Sequence, residues 1–97
     1  MKIFLDDIRP CPDRFELCRT YDEFTRMVMA NKDNLQEISL DYDLGSVRTG
    51  LDACKFLVAS GVQCPKITIH STHSRAVAME YYLKETMKNT EVVLLHG

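Results

Sequence analysis

The chain has 97 residues, of which 45% are hydrophobic and 27% charged, and its formal net charge at pH 7 is −2. These values predict one small folded domain over residues 1–97 and exclude a surface that binds bulk nucleic acid electrostatically. No apolar run is long enough for a membrane span, and the four cysteines lack C-x-x-C pairing, so we expect a cytoplasmic protein with free thiols.

Alternating hydrophobic segments predict five strands and three helices. The predicted strands are residues 2–6, 15–19, 36–41, 65–70 and 91–95, and the predicted helices are residues 21–32, 50–60 and 73–88. Capping boxes mark the starts of the first two helices, Thr20-x-x-Glu23 and Thr49-x-x-Asp52. The third helix carries an apolar stripe that should pack on the sheet: Ala76, Met79, Leu83 and Met87.

The connection between the first two strands decides the topology. Residues 7–14 contain Pro10 and Pro12 and reach about 26 Å when extended, which is enough to return the chain for a parallel second strand. With right-handed crossovers the strand order is then 2-1-3-4-5, and all three helices lie on one face. We therefore predict an α/β, flavodoxin-like fold with a five-stranded parallel sheet.

Acidic residues follow the first and third predicted strands. Asp6 and Asp7 end the first strand, and Asp41 and Asp43 end the third. Parallel strands bring these ends to one edge of the sheet, where open α/β folds bind ligands. Four carboxyl groups repel one another unless a cation intervenes, so we predict a site for Mg²⁺ or Mn²⁺. Asp43 could instead offer its carbonyl group or cap the loop.

Five further side chains near this edge are candidates for phosphate chemistry. Arg9 has the geometry to clamp a phosphate or to pair with the acidic residues. His70 and Ser71 end the fourth strand, where a histidine could transfer protons near neutral pH. His73 and Arg75 fall in the predicted first turn of the third helix, which favours anions, although a solvated helix start explains them equally well.

Four strings in the sequence resemble the cyclic-phosphate-processing receiver domains, which are related to the receiver domains of response regulators. The strings are Phe4-Leu5-Asp6-Asp7-Ile8-Arg9-Pro10, Ser39-Leu40-Asp41-Tyr42-Asp43-Leu44-Gly45, Thr49-Gly50-Leu51-Asp52 and His70-Ser71. In receivers the acidic pair and the aspartate that matches Asp41 bind Mg²⁺. Compared with receivers, the predicted elements lack the helix after strand one and the helix after strand five.

The chain departs from these families at several positions. Receivers carry Thr or Ser after strand four and Lys after strand five, where this chain has His70 and His96. Because a histidine can transfer protons, the first replacement favours phosphoester chemistry over signalling. The closer family is expected to have a second histidine in place of Tyr42, and Asn with a nearby Gly in place of residues 73–76.

Together, the acidic cluster and the resemblance predict a phosphoesterase or phosphate-binding enzyme for cyclic or terminal phosphates of nucleotides or RNA ends. Asp6, Asp7 and Asp41 would hold the metal ion, Arg9 would neutralise phosphate charge, and His70 would act as general acid or base. Ser71 is counted with the catalytic and phosphate-binding residues. Two alternatives stay open: a non-catalytic receiver relic that binds a protein partner, and an aspartyl-phosphate hydrolase with Asp41 as nucleophile.

The sheet face opposite the helices is a candidate surface for self-association. We expect it to mix apolar and polar side chains, namely Phe4, Cys18, Val92 or Leu94, Ser39, Thr68, Lys2 and Lys66. Because an exposed patch of this kind commonly marks an association surface, we predict a homodimer that packs partly through this helix-free face.

Overall fold

A computed structural model describes residues 1–95, so His96 lies outside the described residues. The strands are β1 (Lys2–Leu5), β2 (Glu16–Cys18), β3 (Glu37–Leu40), β4 (Lys66–Ile69) and β5 (Glu91–Leu94). The helices are α1 (Tyr21–Ala30), α2 (Gly50–Ser60) and α3 (Ala76–Thr86). All strand pairs are parallel and the order is β2-β1-β3-β4-β5, which confirms the predicted flavodoxin-like fold.

The connection from β1 returns to the start of β2 without forming a helix, as we predicted from Pro10 and Pro12. Its first turn is held by Asp6, because Oδ1 of Asp6 accepts hydrogen bonds from the amides of Ile8 and Arg9, each 2.9 Å long. Arg19 follows β2, and its Nη1 atom donates to the carbonyl oxygens of Asp6 at 3.3 Å and Arg9 at 2.7 Å. These bonds fix residues 6–9 at the carboxyl edge of the sheet.

Both predicted capping boxes lie at helix starts. In α1 the Thr20 hydroxyl accepts from the Glu23 amide at 3.1 Å, and the Glu23 carboxylate accepts from the Thr20 amide at 3.2 Å. In α2 the Asp52 carboxylate accepts from the Thr49 amide at 2.8 Å. None of the described helices has the length and apolar content needed to cross a membrane.

The third helix begins at Ala76, three residues later than predicted, so the assignment of His73 to a helical turn was wrong. The amide of His73 donates to the Ser71 hydroxyl at 3.1 Å, and the amide of Arg75 donates to Nδ1 of His73 at 3.1 Å. Such local bonds from side chains to backbone compete with helix formation. His73 therefore lies in the β4–α3 loop, and Arg75 is the N-cap of α3.

The helical face of the sheet carries the core, whose central residues are fully buried: Ile3, Leu5, Ile38, Leu40, Ile67 and Ile69. The prediction that Cys18 and Val92 or Leu94 lie on the helix-free face was wrong. Cys18 pairs with Leu5, and Val92 and Leu94 pair with Ile67 and Ile69, so all three are on the core face. Strand side chains alternate, and the register decides which set faces the helices.

The centre of the helix-free face is already covered within the chain. Phe4, Ser39 and Thr68 are cross-strand neighbours on this face, and each is buried. The Phe15 ring packs edge-on against the Phe4 ring, with 6.3 Å between ring centroids. The His70 ring stacks on the same Phe4 ring, with 4.4 Å between centroids. The homodimer stays a prediction, and Phe4 is not an exposed part of its surface.

Gly50, the first residue of α2, brings this helix directly against the end of β3. Its amide donates to the Tyr42 carbonyl at 2.7 Å. A Cβ atom at this position would overlap the carbonyl oxygen of Asp41 and lie 2.7 Å from Cε of Met79. We therefore expect Gly50→Ala to lower the free energy of unfolding by about 1–3 kcal/mol in urea denaturation. A variant as stable as the parent would contradict this tight contact.

Candidate functional site

Three side chains converge at the carboxyl edge of the sheet. Asp6, Asp41 and His70 directly follow β1, β3 and β4, and one ligand atom from each lies within 4.8 Å of the others. Their exposed fractions are only 0%, 8% and 9%. Because the three strands are adjacent, parallel and in register, residues at equivalent ends meet, as the sequence predicted for the two aspartates.

The His70 ring is fixed by three contacts. Its Nε2 atom lies 2.9 Å from Oδ2 of Asp6, its Nδ1 atom lies 2.7 Å from Oγ of Ser39, and the ring stacks on Phe4 at an interplanar angle of 8°. An ionised carboxylate only accepts hydrogen bonds, so Nε2 carries the proton and the Ser39 hydroxyl donates to Nδ1. His70 is therefore held as one tautomer in one orientation.

The charges of this pair follow from burial and hydrogen bonding. Burial opposes ionisation of Asp6, but hydrogen bonds from the Arg9 and Ile8 amides and from His70 leave its pKa below the ordinary value. Burial lowers the pKa of His70, and this outweighs the attraction of Asp6 for the imidazolium form. The site at neutral pH thus contains an ionised Asp6 beside a neutral imidazole.

Of the two buried carboxyl groups, Asp41 is the one whose negative charge is less stabilised by its neighbours. Burial raises its pKa and the negative charge of Asp6 adds to this, whereas the neighbouring Ser71 hydroxyl and a 2.8 Å hydrogen bond from the Tyr42 amide oppose the increase. Two neighbouring buried carboxyl groups therefore repel each other in this site. A bound cation would relieve that repulsion, which makes the electrostatics consistent with a metal site.

The donor set is two carboxylates and one imidazole. Because both ring nitrogens of His70 are engaged, by Asp6 and by Ser39, the two carboxylates are the available ligands, and carboxylate oxygen suits Mg²⁺ or Mn²⁺. Within residues 1–95, the group of side chains that could share a metal ion contains neither Asp7 nor Asp43. Asp43 is exposed and its Oδ1 accepts from the Gly45 amide at 2.9 Å, while Asp7 is half-buried beside Gly45.

The phosphate-binding candidates lie around this cluster. Nη1 of Arg9 donates to the His70 carbonyl at 2.6 Å, and its Nε atom lies 3.8 Å from Oδ2 of Asp6. Ser71 is buried, and its hydroxyl accepts from the His73 amide at 3.1 Å. The His73 ring packs on the Tyr42 ring at 4.4 Å, and Arg75 is exposed at the start of α3. Arg9 and Ser71 thus join the cluster, and His73 flanks it.

Sequence reasoning missed Ser39 and Arg19. Ser39 had been counted only as a polar residue of the helix-free face, yet it is the partner of His70 Nδ1. The available signal was its position two residues before Asp41, which puts both side chains on one face of β3. Ser39 is buried beneath the imidazole, so it positions the ring and is not placed to attack a substrate.

A protein-family model described as cyclic-phosphate processing receiver domain matches residues 1–85. The matched segment contains β1 to β4 and the residues of the cluster. No curated protein and no solved structure matched the chain.

Proposed function

The chain belongs to the cyclic-phosphate processing receiver domain family, and from this premise we propose that it is a metal-assisted phosphoesterase. Its substrate would be a cyclic phosphate of a nucleotide or of an RNA end, and a terminal phosphate is the related alternative. The observation that carries the proposal is the buried group of Asp6, Asp41 and His70 at the ligand-binding edge of the sheet. Family membership supports the link to cyclic phosphates.

Metal binding is part of the proposal. Asp6 and Asp41 would hold Mg²⁺ or Mn²⁺, with Asp7 and Asp43 as further candidates from the same two strand ends. When bound, such an ion polarises phosphoryl oxygens and offsets the charge of the carboxylates. The repulsion between Asp6 and Asp41, which contributes to the raised pKa of Asp41, supports this assignment.

The phosphate charge that the metal ion does not neutralise would be met by hydrogen-bond donors of the chain. An arginine has five N–H donors, and the bond to the His70 carbonyl uses one from Nη1 of Arg9. Its other donors would bind phosphoryl oxygens, with the Ser71 hydroxyl beside them. His73 and Arg75 lie in and after the β4–α3 loop, where a phosphate would meet additional donors.

Proton transfer is assigned to His70 and Asp41. Hydrolysis of a 2′,3′-cyclic phosphate adds water to phosphorus and breaks one bond from phosphorus to a ribose oxygen, which leaves as a hydroxyl. The imidazolium form of His70, which the negative charges of Asp6 and of a bound phosphate favour, would give its Nε2 proton to that oxygen and become neutral again. A carboxylate oxygen of Asp41 that does not bind the metal ion would accept the proton of the attacking water.

A direct assay tests the proposal. We expect the protein to convert 2′,3′-cyclic AMP to a 2′- or 3′-monophosphate in the presence of Mn²⁺ or Mg²⁺, followed by ³¹P NMR or chromatography. EDTA should stop the reaction, and Asp41→Asn should give no product above the background hydrolysis. If none of the four 2′,3′-cyclic nucleotides reacts with either ion, the non-catalytic relic that binds a protein partner becomes the better explanation.

A further inference from the structure

A cleft of ≈ 300 Å³ opens beside the cluster of Asp6, Asp41 and His70, between the β4–α3 loop and the end of β5. Residues 71–74 form its polar wall, and Ala76, Val77 and Leu94 form its apolar wall. Val77 is 58% exposed even though it is an aliphatic residue in the first turn of α3. The cleft therefore combines hydroxyl and peptide groups with an exposed apolar surface.

We propose that this cleft binds the nucleoside part of the substrate, so that Val77 and Leu94 are specificity-determining residues. The inference rests on the proposed function and adds where the base lies. Ser71 joins the two regions, because it lines the cleft and directly follows His70 in the chain. A ligand whose phosphate contacts Ser71 thus has its organic group at the mouth of the cleft.

The order of the strands indicates on which side of the cluster the organic group of the ligand would lie. The cluster lies over the ends of β1, β3 and β4, and the cleft lies over the next ends, those of β4 and β5. On the β1 side lies the Arg9 side chain, whose Nη1 atom donates to the His70 carbonyl at 2.6 Å. A larger cleft of ≈ 550 Å³ near Lys32 and Pro65 is at the opposite edge of the sheet and cannot share a ligand with the cluster.

The chemistry of the walls favours a nucleoside over other organic groups. A nucleobase has apolar faces and polar edges, which match Val77 and Leu94 on one side and the Thr72 and Ser74 segment on the other. The volume is at the lower limit of typical ligand sites, roughly 300–1,000 Å³. It therefore suits one nucleoside and is too small for several stacked bases of an RNA chain.

Binding is tested first, without turnover. The methyl resonances of Val77 and Leu94 are followed by NMR while adenosine 3′-monophosphate or inorganic phosphate is added to the full chain. We expect the nucleotide to shift both sets of methyls, and inorganic phosphate to leave them almost unchanged. If Val77 and Leu94 do not respond to the nucleotide, or if the methyls of Val47, which does not line the cleft, respond instead, the proposal is wrong.

Specificity is tested with two substrates. Val77→Trp would fill the cleft and is expected to raise KM for 2′,3′-cyclic AMP by roughly tenfold or more. The same variant should leave kcat/KM for glycerol 1,2-cyclic phosphate, which has no base, within roughly twofold of the parent. Val47→Trp is the matched control, because Val47 is 96% exposed in the β3–α2 loop and outside the cleft.

The outcomes separate this inference from the proposed function. Equal effects of Val77→Trp on both substrates, or a larger effect of Val47→Trp on 2′,3′-cyclic AMP, would overturn the cleft assignment. If the parent hydrolyses neither substrate, the proposed function fails, and the methyl shifts still decide whether the cleft binds a nucleoside.

Discussion

Replacing His70 with alanine is expected to lower the kcat for a 2′,3′-cyclic nucleotide by roughly 10² to 10⁴, the usual contribution of a general acid or base. The imidazole is buried and neutral, and its proton is at Nε2, next to Asp6 and Asp41. When a phosphate binds, the imidazole can take up a second proton, and as an imidazolium it is the one cationic donor among Asp6, Asp41 and His70. Steady-state kinetics at saturating substrate measures the change.

A second variant separates chemistry from folding. His70→Ala removes the imidazole partner of the buried Ser39 hydroxyl and of Oδ2 of Asp6, which costs about 1–3 kcal/mol for each unsatisfied group. His70→Asn keeps a hydrogen-bonding side chain but cannot transfer a proton, so it should be nearly as inactive and more stable. Both variants should still be stabilised by metal ions through the aspartates. Unchanged kcat in both would remove His70 from the mechanism.

Saturating Mg²⁺ or Mn²⁺ is expected to stabilise the fold by about 2.7 kcal/mol at a concentration 100 times the dissociation constant. For a chain of this size the gain corresponds to a rise in melting temperature of roughly 10 °C or more. The cause is the release of repulsion between the carboxylates of Asp6 and Asp41 when a cation binds both. Thermal unfolding with millimolar metal ion, compared with EDTA, measures it.

Asp41→Asn should abolish this response and should also make the metal-free protein more stable than the parent. The folded-state pKa of Asp41 is raised, so its ionised form destabilises the fold at neutral pH, and removing that charge is favourable. Asp33→Asn is the matched control, because Asp33 is an exposed aspartate in the loop before β3, at the other edge of the sheet. A melting temperature that is indifferent to metal ions would rule out the metal site.

The sequence alone determined the elements and their order. Period-two and helical patterns located the strands and helices, and Thr20 and Thr49 marked two helix starts. Pro10 and Pro12 made a helical connection after β1 unfavourable, which left an extended crossing and a parallel second strand as the solution. These features are predictable because each depends on local backbone preference or on the reach of a short segment. The same reasoning brought Asp6 and Asp41 to one edge.

The tertiary structure decided which side chains meet. The register put Cys18, Val92 and Leu94 on the core face and placed Ser39 under His70, because alternation along one strand does not specify its cross-strand neighbours. Beyond the strand ends, local turns set side-chain direction. The Asp43 bond to the Gly45 amide draws that carboxylate out of the cluster, while Asp6 stays inside. Such turns depend on several competing hydrogen bonds, and packing of the whole chain selects among them.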